Sequence, residues 1–286
     1  MGTSTSSSGP GARVAFDPPW LDDIAVAASP GGETPQPDEQ GALSDGDNDS
    51  GQEAPSAATS TIAPPRRFVA ARRNLGTYVR SGDATNLARG IGHYSRTGMG
   101  GASKAASRMR ASTKAGVGLV SFLQAARDRT NEHVSRWVEQ LLASNPTSED
   151  VADAIVKALA PAGGSADEES LKDSMALALS DLIMMQPDID LLNLTDMDTW
   201  TLLQLFLGHE VCNRLEFDIG QFFESARLDP ELGVRRELEM RDFVKNEVGV
   251  QLTKLREKTS NPTKQQLDTL VQDAVRLTFE VYEGVL

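Results

Sequence analysis

From Phe68 to the C-terminus the apolar residues recur every three to four positions, and no stretch alternates for long enough to read as a strand. That periodicity commits the foldable part of the chain to an all-α architecture. Phe68, Ala71, Leu75, Tyr78 and Val79 form the first stripe. Ser81-Gly82 is a helix stop, and Asp83 is a cap for the next helix. Leu87, Ile91 and Tyr94 make a second stripe, and Thr97-Gly98-Met99-Gly100-Gly101 reads as a flexible break. A third helix is expected from Ala102 past Leu123, weakened by Gly116 and Gly118.

Beyond Thr130 the helical pattern is nearly continuous. Val134, Trp137, Val138, Leu141 and Leu142 form a stripe ending at Asn145-Pro146. Thr147 or Ser148 opens a short helix through Val151, Ile155, Val156 and Leu159, closed by Pro161 and Gly163-Gly164. The next runs from Asp167 to Met185, with Leu171, Met175, Leu179, Leu182 and Ile183 inward and Pro187 after it. The stretch from Asp198 to Arg214 is apolar on most faces and is expected at the buried centre. A short helix near Ile219 to Ala226 and a long amphipathic one from Glu231 to Lys258 follow. Pro262 is placed in the first turn of the last helix, which turns Leu267, Leu270, Val271, Ala274, Val275, Leu277, Phe279 and Val281 inward.

Charge divides the chain into three parts. Residues 1–65 carry ten acids and one Arg, with much Ser, Thr, Gly, Pro and Ala and few large apolar groups. Such a segment buries too little surface to offset its ordering entropy, so a disordered acidic tail is expected. Residues 66–118 form a basic collar, with eleven Lys/Arg against Asp83 between 66 and 114. Residues 119–286 are an acidic multi-helix body that brings the net charge to −13. The charge argues against coating nucleic acid with the whole surface, but the collar has three readings. It grips phosphates, with Tyr78 or Tyr94 stacking on bases, it docks on an acidic partner protein, or it docks on this chain's own acidic body. The residues favour the protein contact, centred on Leu75, Tyr78, His93, Tyr94 and Arg96, where apolar stripes and arginines share short helices.

In the tail, FDPPWLDD (16–23) sets Phe16, Pro18, Pro19 and Trp20 among acids. It is a docking motif whose prolines limit its unbound freedom, or an ordinary linker. The longest apolar run, GVGLVSFL (116–123), is much too short to span a bilayer. The N-terminus has no basic or apolar signal region, and the single cysteine, Cys212, gives no disulfide framework. A cytoplasmic protein without a membrane anchor is expected.

The search for catalytic groups is nearly empty. GMGGASKA (98–105) has Ser103 where a phosphate-binding loop needs Gly, and no buried strand precedes it. GIGHYS (90–95) lacks the third glycine of a dinucleotide fingerprint. His93, between Arg89 and Arg96, is a proton donor or phosphate ligand on one reading and an interface or capping residue on the other. His209 and Cys212 lie three apart on the most buried helix, where core packing is the default. Three scattered histidines and one thiol make no zinc site. No enzyme and no metal or cofactor of its own are expected. Gly2 follows Met1, so removal of the initiator leaves a glycine amine with a pKa near 7.7–8.0, partly neutral and nucleophilic. MGTSTS also fits a myristoylation pattern, weakly in so Ser-rich a terminus.

The opening MGTSTSSSGPG, the PPWLDD element, R-x-x-L-G-x-Y-V-x-S-G-D (72–83) and G-H-Y-x-R-T-G-x-G-G (92–101) resemble the QatB family. That family is the small non-enzymatic component of the bacterial Qat anti-phage defence system. The resemblance covers about a third of the chain; the body matches by length and class. It implies three neighbours, an ATPase, a QueC-like enzyme and a TatD-like nuclease, and a bacterial cytoplasm, which leaves little room for myristoylation. It also implies a partner or substrate of that machinery and not a catalyst; with a QueC-like neighbour and a free glycine amine, the expectation is an adaptor whose Gly2 is the target of a covalent deazaguanine adduct.

Overall fold

A computed structural model describes residues 66–160, 165–220, 230–259 and 262–286, and every regular element among them is helical. In chain order these are α1 (Val69–Ser81), α2 (Ala84–His93), a π-helical turn (Tyr94–Met99), α3 (Ala102–Arg108) and α4 (Arg110–Asp128). The body continues with α5 (Glu132–Leu142), α6 (Ser148–Leu159), α7 (Ala166–Met185), α8 (Asp196–Ile219), α9 (Pro230–Arg256) and α10 (Lys264–Glu283). The acidic tail, Pro161 to Gly164 and residues 221–229 lie outside the described residues, and so does most of the helix expected near Ile219 to Ala226. Ile219 itself is the last residue of α8.

Local chemistry sets most helix starts. Asp83 caps α2 by accepting from the Thr85 amide, and Gly82 ends α1 in the left-handed region at φ 73°. Reciprocal capping boxes open α6 (Thr147/Asp150), α7 (Ser165/Glu168), α8 (Thr195/Asp198) and α10 (Thr263/Gln266). Each pairs two backbone donors that the helix itself leaves unsatisfied.

Two helices organise the packing. The α8 helix, buried on nearly every side from Leu202 to Leu215, is flanked by α4, α7 and α9. The α10 helix packs on α9 and also carries α2, α3 and α4, so the C-terminus closes against the collar. The α4 helix passes through residue 118, where the charge pattern changes, without interruption.

Several details differ from the sequence expectations. Thr97 to Met99 is not a break: the helix widens into a π turn, and only Gly100 (φ 85°) and Gly101 (φ 109°) interrupt it. The turn lets two consecutive residues, Tyr94 and Ser95, both face the core while Arg96 and Thr97 face solvent. The helix expected past Ala102 is broken at Met109, a buried residue, where α3, packed on α10 and the π turn, gives way to α4, which packs on both α10 and α8. Gly116 does not weaken α4 so much as admit Leu203 and Phe206 of α8 against its backbone. Leu142 and Val281 are exposed and Leu277 is half-buried; on α10, Thr278 and Tyr282 turn inward instead. Pro262 precedes the Thr263 cap and is not in the first turn.

Candidate docking site on the basic collar

The motif residues at 72–101 are absorbed by contacts with α8, α9 and α10. Leu75 is fully buried, with its side chain against Gly90. The Tyr78 hydroxyl donates to the Arg236 carbonyl at 2.8 Å, and burial pushes its phenol up to about 12. The Tyr94 hydroxyl donates to Asp218 at 2.7 Å, its ring stacks on Phe68, and burial pushes its pKa well above the usual phenol value. Ser95 donates to Glu283. A side chain at Gly92 would strike the Tyr282 carbonyl, and one at Gly98 would strike the Phe68 ring. These glycines mark places where two segments meet with no room for a Cβ.

The expected site residues are therefore split. Leu75, Tyr78 and Tyr94 lie among this chain's own helices: Leu75 packs against Gly90 of α2, Tyr78 reaches the Arg236 carbonyl of α9, and Tyr94 lies between Asp218 of α8 and Phe279 of α10. His93 is half-buried and Arg96 is exposed. Gly2, Phe16, Pro18, Pro19 and Trp20 lie outside the described residues.

What the collar leaves outside is charge. Of the eleven Lys/Arg between 66 and 114, only Arg110 forms an ion pair among the described residues, at 3.7 Å from Asp268. All are exposed except Arg67, which is half-buried with its guanidinium 4.6 Å over the Phe68 ring. Between α1, α2 and the π turn lies an open groove of about 750 Å³, lined by Arg66, Arg67, Arg73, Asn74, Asn86 and His93, among others. The Nδ1 of His93 is shielded from solvent and has no hydrogen-bond partner among the described residues. A surface of guanidinium forks and amides suits carboxylates and phosphates alike.

The other chemical candidates are occupied by structure. Cys212 is fully buried, and burial pushes its thiol up to about 12, so it is no nucleophile at neutral pH. His209 does not face it: its Nε2 lies 2.9 Å from Asp181, and Lys245 lies 3.1 Å from the same carboxylate. His209 and Lys245 together hold Asp181 below the usual carboxylate range. Glu210 is buried and accepts from Ser112 and Ser170, and burial raises its pKa. In GMGGASKA, the glycines join a π turn to the short α3, with no strand before them among the described residues. No group of His, Cys, Asp and Glu able to hold a metal occurs among the described residues. A smaller apolar pocket of about 400 Å³ lies between α4, α5 and α6, around Phe122, Val134 and Trp137.

Sequence reasoning missed Asn74 and Asn86 in the groove, and Arg236, Asp218 and Glu283 as the anchors of the motif residues. The anchors lie more than 120 residues away along the chain, and no local pattern marks them. No helix among the described residues is long and apolar enough to cross a membrane. No curated protein matches the chain, and no solved structure does. A family model described as Qat anti-phage system associated protein QatB matches residues 100–282. It takes up where the motifs of residues 72–101 end and covers the helical body, which those motifs do not reach. A match over more than half of the 286 residues makes this chain a member of the QatB family, associated with the Qat anti-phage system.

Proposed function

We propose that the protein is a non-catalytic adaptor of the Qat system that docks partners through its collar and presents Gly2 for modification by the QueC-like enzyme. The observation that carries the docking is the row of exposed collar cations, of which only Arg110 has a carboxylate partner among the described residues, on a segment seated on α10. Membership in a family associated with the Qat system supports partners from that system: the QueC-like enzyme first, then the ATPase and the TatD-like nuclease. The setting proposed is the bacterial cytoplasm. The buried thiol of Cys212 and the His209–Asp181–Lys245 cluster, committed to holding α7, α8 and α9 together, support a role without catalysis.

The modification proceeds in balanced steps. Met1 is first removed by hydrolysis. The partner's ATP is attacked at its α-phosphorus by a deazaguanine carboxylate, which gives an acyl-adenylate and releases pyrophosphate. The neutral Gly2 amine attacks the acyl carbon, an amide C–N bond forms, the C–O bond to AMP breaks, and the amine gives up a proton to solvent. Glycine has no side chain to hinder the attack, and its amine is far more often neutral at pH 7 than a lysine with a pKa near 10.4. The PPW element, with Phe16, Pro18, Pro19 and Trp20, serves as a second anchor that raises the local concentration of Gly2 at the partner.

Terminal-peptide mass spectrometry on protein from cells with and without the QueC-like partner tests the reading. A deazaguanine amide at Gly2 is expected only with the partner present. An unmodified amine in both samples of a working defence system would overturn it. A second reading, nucleic acid on the same collar, is favoured by the same exposed arginines, which apart from Arg110 have no carboxylate partner among the described residues. Phosphate binding weakens steeply between about 50 and 200 mM salt, which an apolar protein interface does not.

A further inference from the structure

The basic groove has a source of acid attached to its own rim. Arg66 and Arg67 line it, and the chain before Arg66 carries ten acids and one Arg. Four of those acids, Asp45, Asp47, Asp49 and Glu53, fall in one short run that contains no Lys or Arg. We propose that residues 45–53 fold back onto the groove and cover its arginines, so that the free protein masks its own collar.

Reach, charge and direction all favour this occupant. Residues 54–65 form an uncharged spacer of twelve residues, which extends to at most about 40 Å. The 13 residues of α1 span only about 20 Å, so the acidic run can lie along the groove's helical wall. The chain bends at the rim: Arg66 has φ 63°, and its carbonyl accepts from the Val69 amide at 3.0 Å. The axis of α1 therefore does not extend back through Arg66. The groove holds three arginines and no acid. In the body, by contrast, Arg127, Arg214, Arg241 and Arg276 are each held by carboxylates of the body's own helices.

A short tether keeps the acidic run at an effective concentration of millimolar order beside the groove. Non-specific phosphate binding, with dissociation constants of about 10⁻⁴ to 10⁻⁶ M at physiological salt, must compete with that. Exposed ion pairs are individually weak and screened by salt, so the cover is one that a better-fitting partner removes. This bears on the docking face of the proposed function, since a partner must displace the tail. It needs neither a partner nor a modified Gly2, and its test uses the isolated full-length chain, so the two readings fail separately.

A nitroxide on Ser50→Cys reports the contact, because Cys212 is buried and its thiol resists labelling. Amides of residues 69–77 and 86–97 should broaden at about 50 mM salt and recover at about 0.5 M. They should also recover in the labelled Asp45→Asn, Asp47→Asn, Asp49→Asn, Glu53→Gln protein and in labelled Arg66→Glu, Arg73→Glu, whose helix content by circular dichroism should match the parent. The unlabelled tail-neutral variant should bind a 20-nucleotide single-stranded DNA probe at least about tenfold tighter than wild type at about 50 mM salt, because its groove is open. Absent broadening, or broadening centred on α5 to α7, would overturn the proposal. Equal DNA affinity of the two proteins would do so as well, and tight equal binding would make nucleic acid the occupant.

Discussion

In the body, Arg241 lies between α8 and α9, 14% exposed, and binds both carboxylate oxygens of Glu216 as well as Asn213 and Glu237. In the collar, Arg72 and Arg96 stand in solvent with no carboxylate partner among the described residues. One residue type thus serves the fold in one region and leaves its charge unspent in the other. The difference follows from what surrounds each. The body is rich in acid, so its helices supply a partner to most guanidiniums that approach. The collar contains only Asp83, which is committed to capping α2. Its attachment comes largely from neutral contacts: Tyr78 to a carbonyl, glycines against backbone and Phe68 on Tyr94, with Tyr94 to Asp218, Ser95 to Glu283 and Arg110 to Asp268 reaching carboxylates. A collar held this way keeps its cations free for something else.

The sharpest test compares the two arginine classes directly. Arg241→Ala should cost about 2–4 kcal/mol in urea unfolding, because it strips several hydrogen bonds from a part-buried site. The loss is capped because Glu216, pushed up to about 7 by burial, can take a proton instead of staying charged alone. Arg72→Glu should cost less than about 0.5 kcal/mol in the same measurement. Equal losses would erase the contrast.

Next comes the neutral seam. Alanine at position 92 gains about 1 kcal/mol of helix propensity over glycine. Its Cβ would sit 2.4 Å from the Tyr282 carbonyl oxygen, and the neighbour is backbone, which cannot swing away. Overpacking of this kind costs about 1–3 kcal/mol, so Gly92→Ala should lower the melting temperature. An unchanged melting temperature would mean that α2 rests loosely on α10.

A smaller effect concerns a buried acid in the body. Burial raises the pKa of Glu210 above its ordinary 4.5. The unfolded chain therefore ionises first, and stability should fall as pH climbs from 4.5 toward the raised folded value. Glu210→Gln, able to accept from Ser112, should remove that slope and gain about 1 kcal/mol at neutral pH. A slope that survives the substitution would assign the pH dependence to another group.

Arg96→Glu should change stability as little as Arg72→Glu, within about 0.5 kcal/mol. Co-purification with the QueC-like partner should nonetheless weaken. Unfolding of this variant would show that Arg96 belongs to the core and would sink its place at the docking face.

The all-α class and most helix positions were legible from residue order because they rest on local physics. Asp83, Thr147 and Gly82 act on amides a few residues away, and the stripe of α8 declares its burial by being apolar all round. The concentration of basic charge in the collar was equally legible. Whether those arginines were paired was not, because pairing depends on which helix end arrives opposite. That Leu75, Tyr78 and Tyr94 are buried among this chain's own helices was not legible for the same reason. An amphipathic face looks the same in sequence whether it will meet a partner or α10.

By itself, then, the sequence determined period, caps and the segregation of charge, all properties of neighbours within one or two helical turns. Only the tertiary structure decided that the helix breaks at Met109, that it widens at Tyr94 and Ser95, and that Arg236, Asp218 and Glu283 hold the motif from more than 120 residues away. Those outcomes depend on close approach between segments distant in the chain. That approach is set by packing the whole core at once, and no window of sequence contains it.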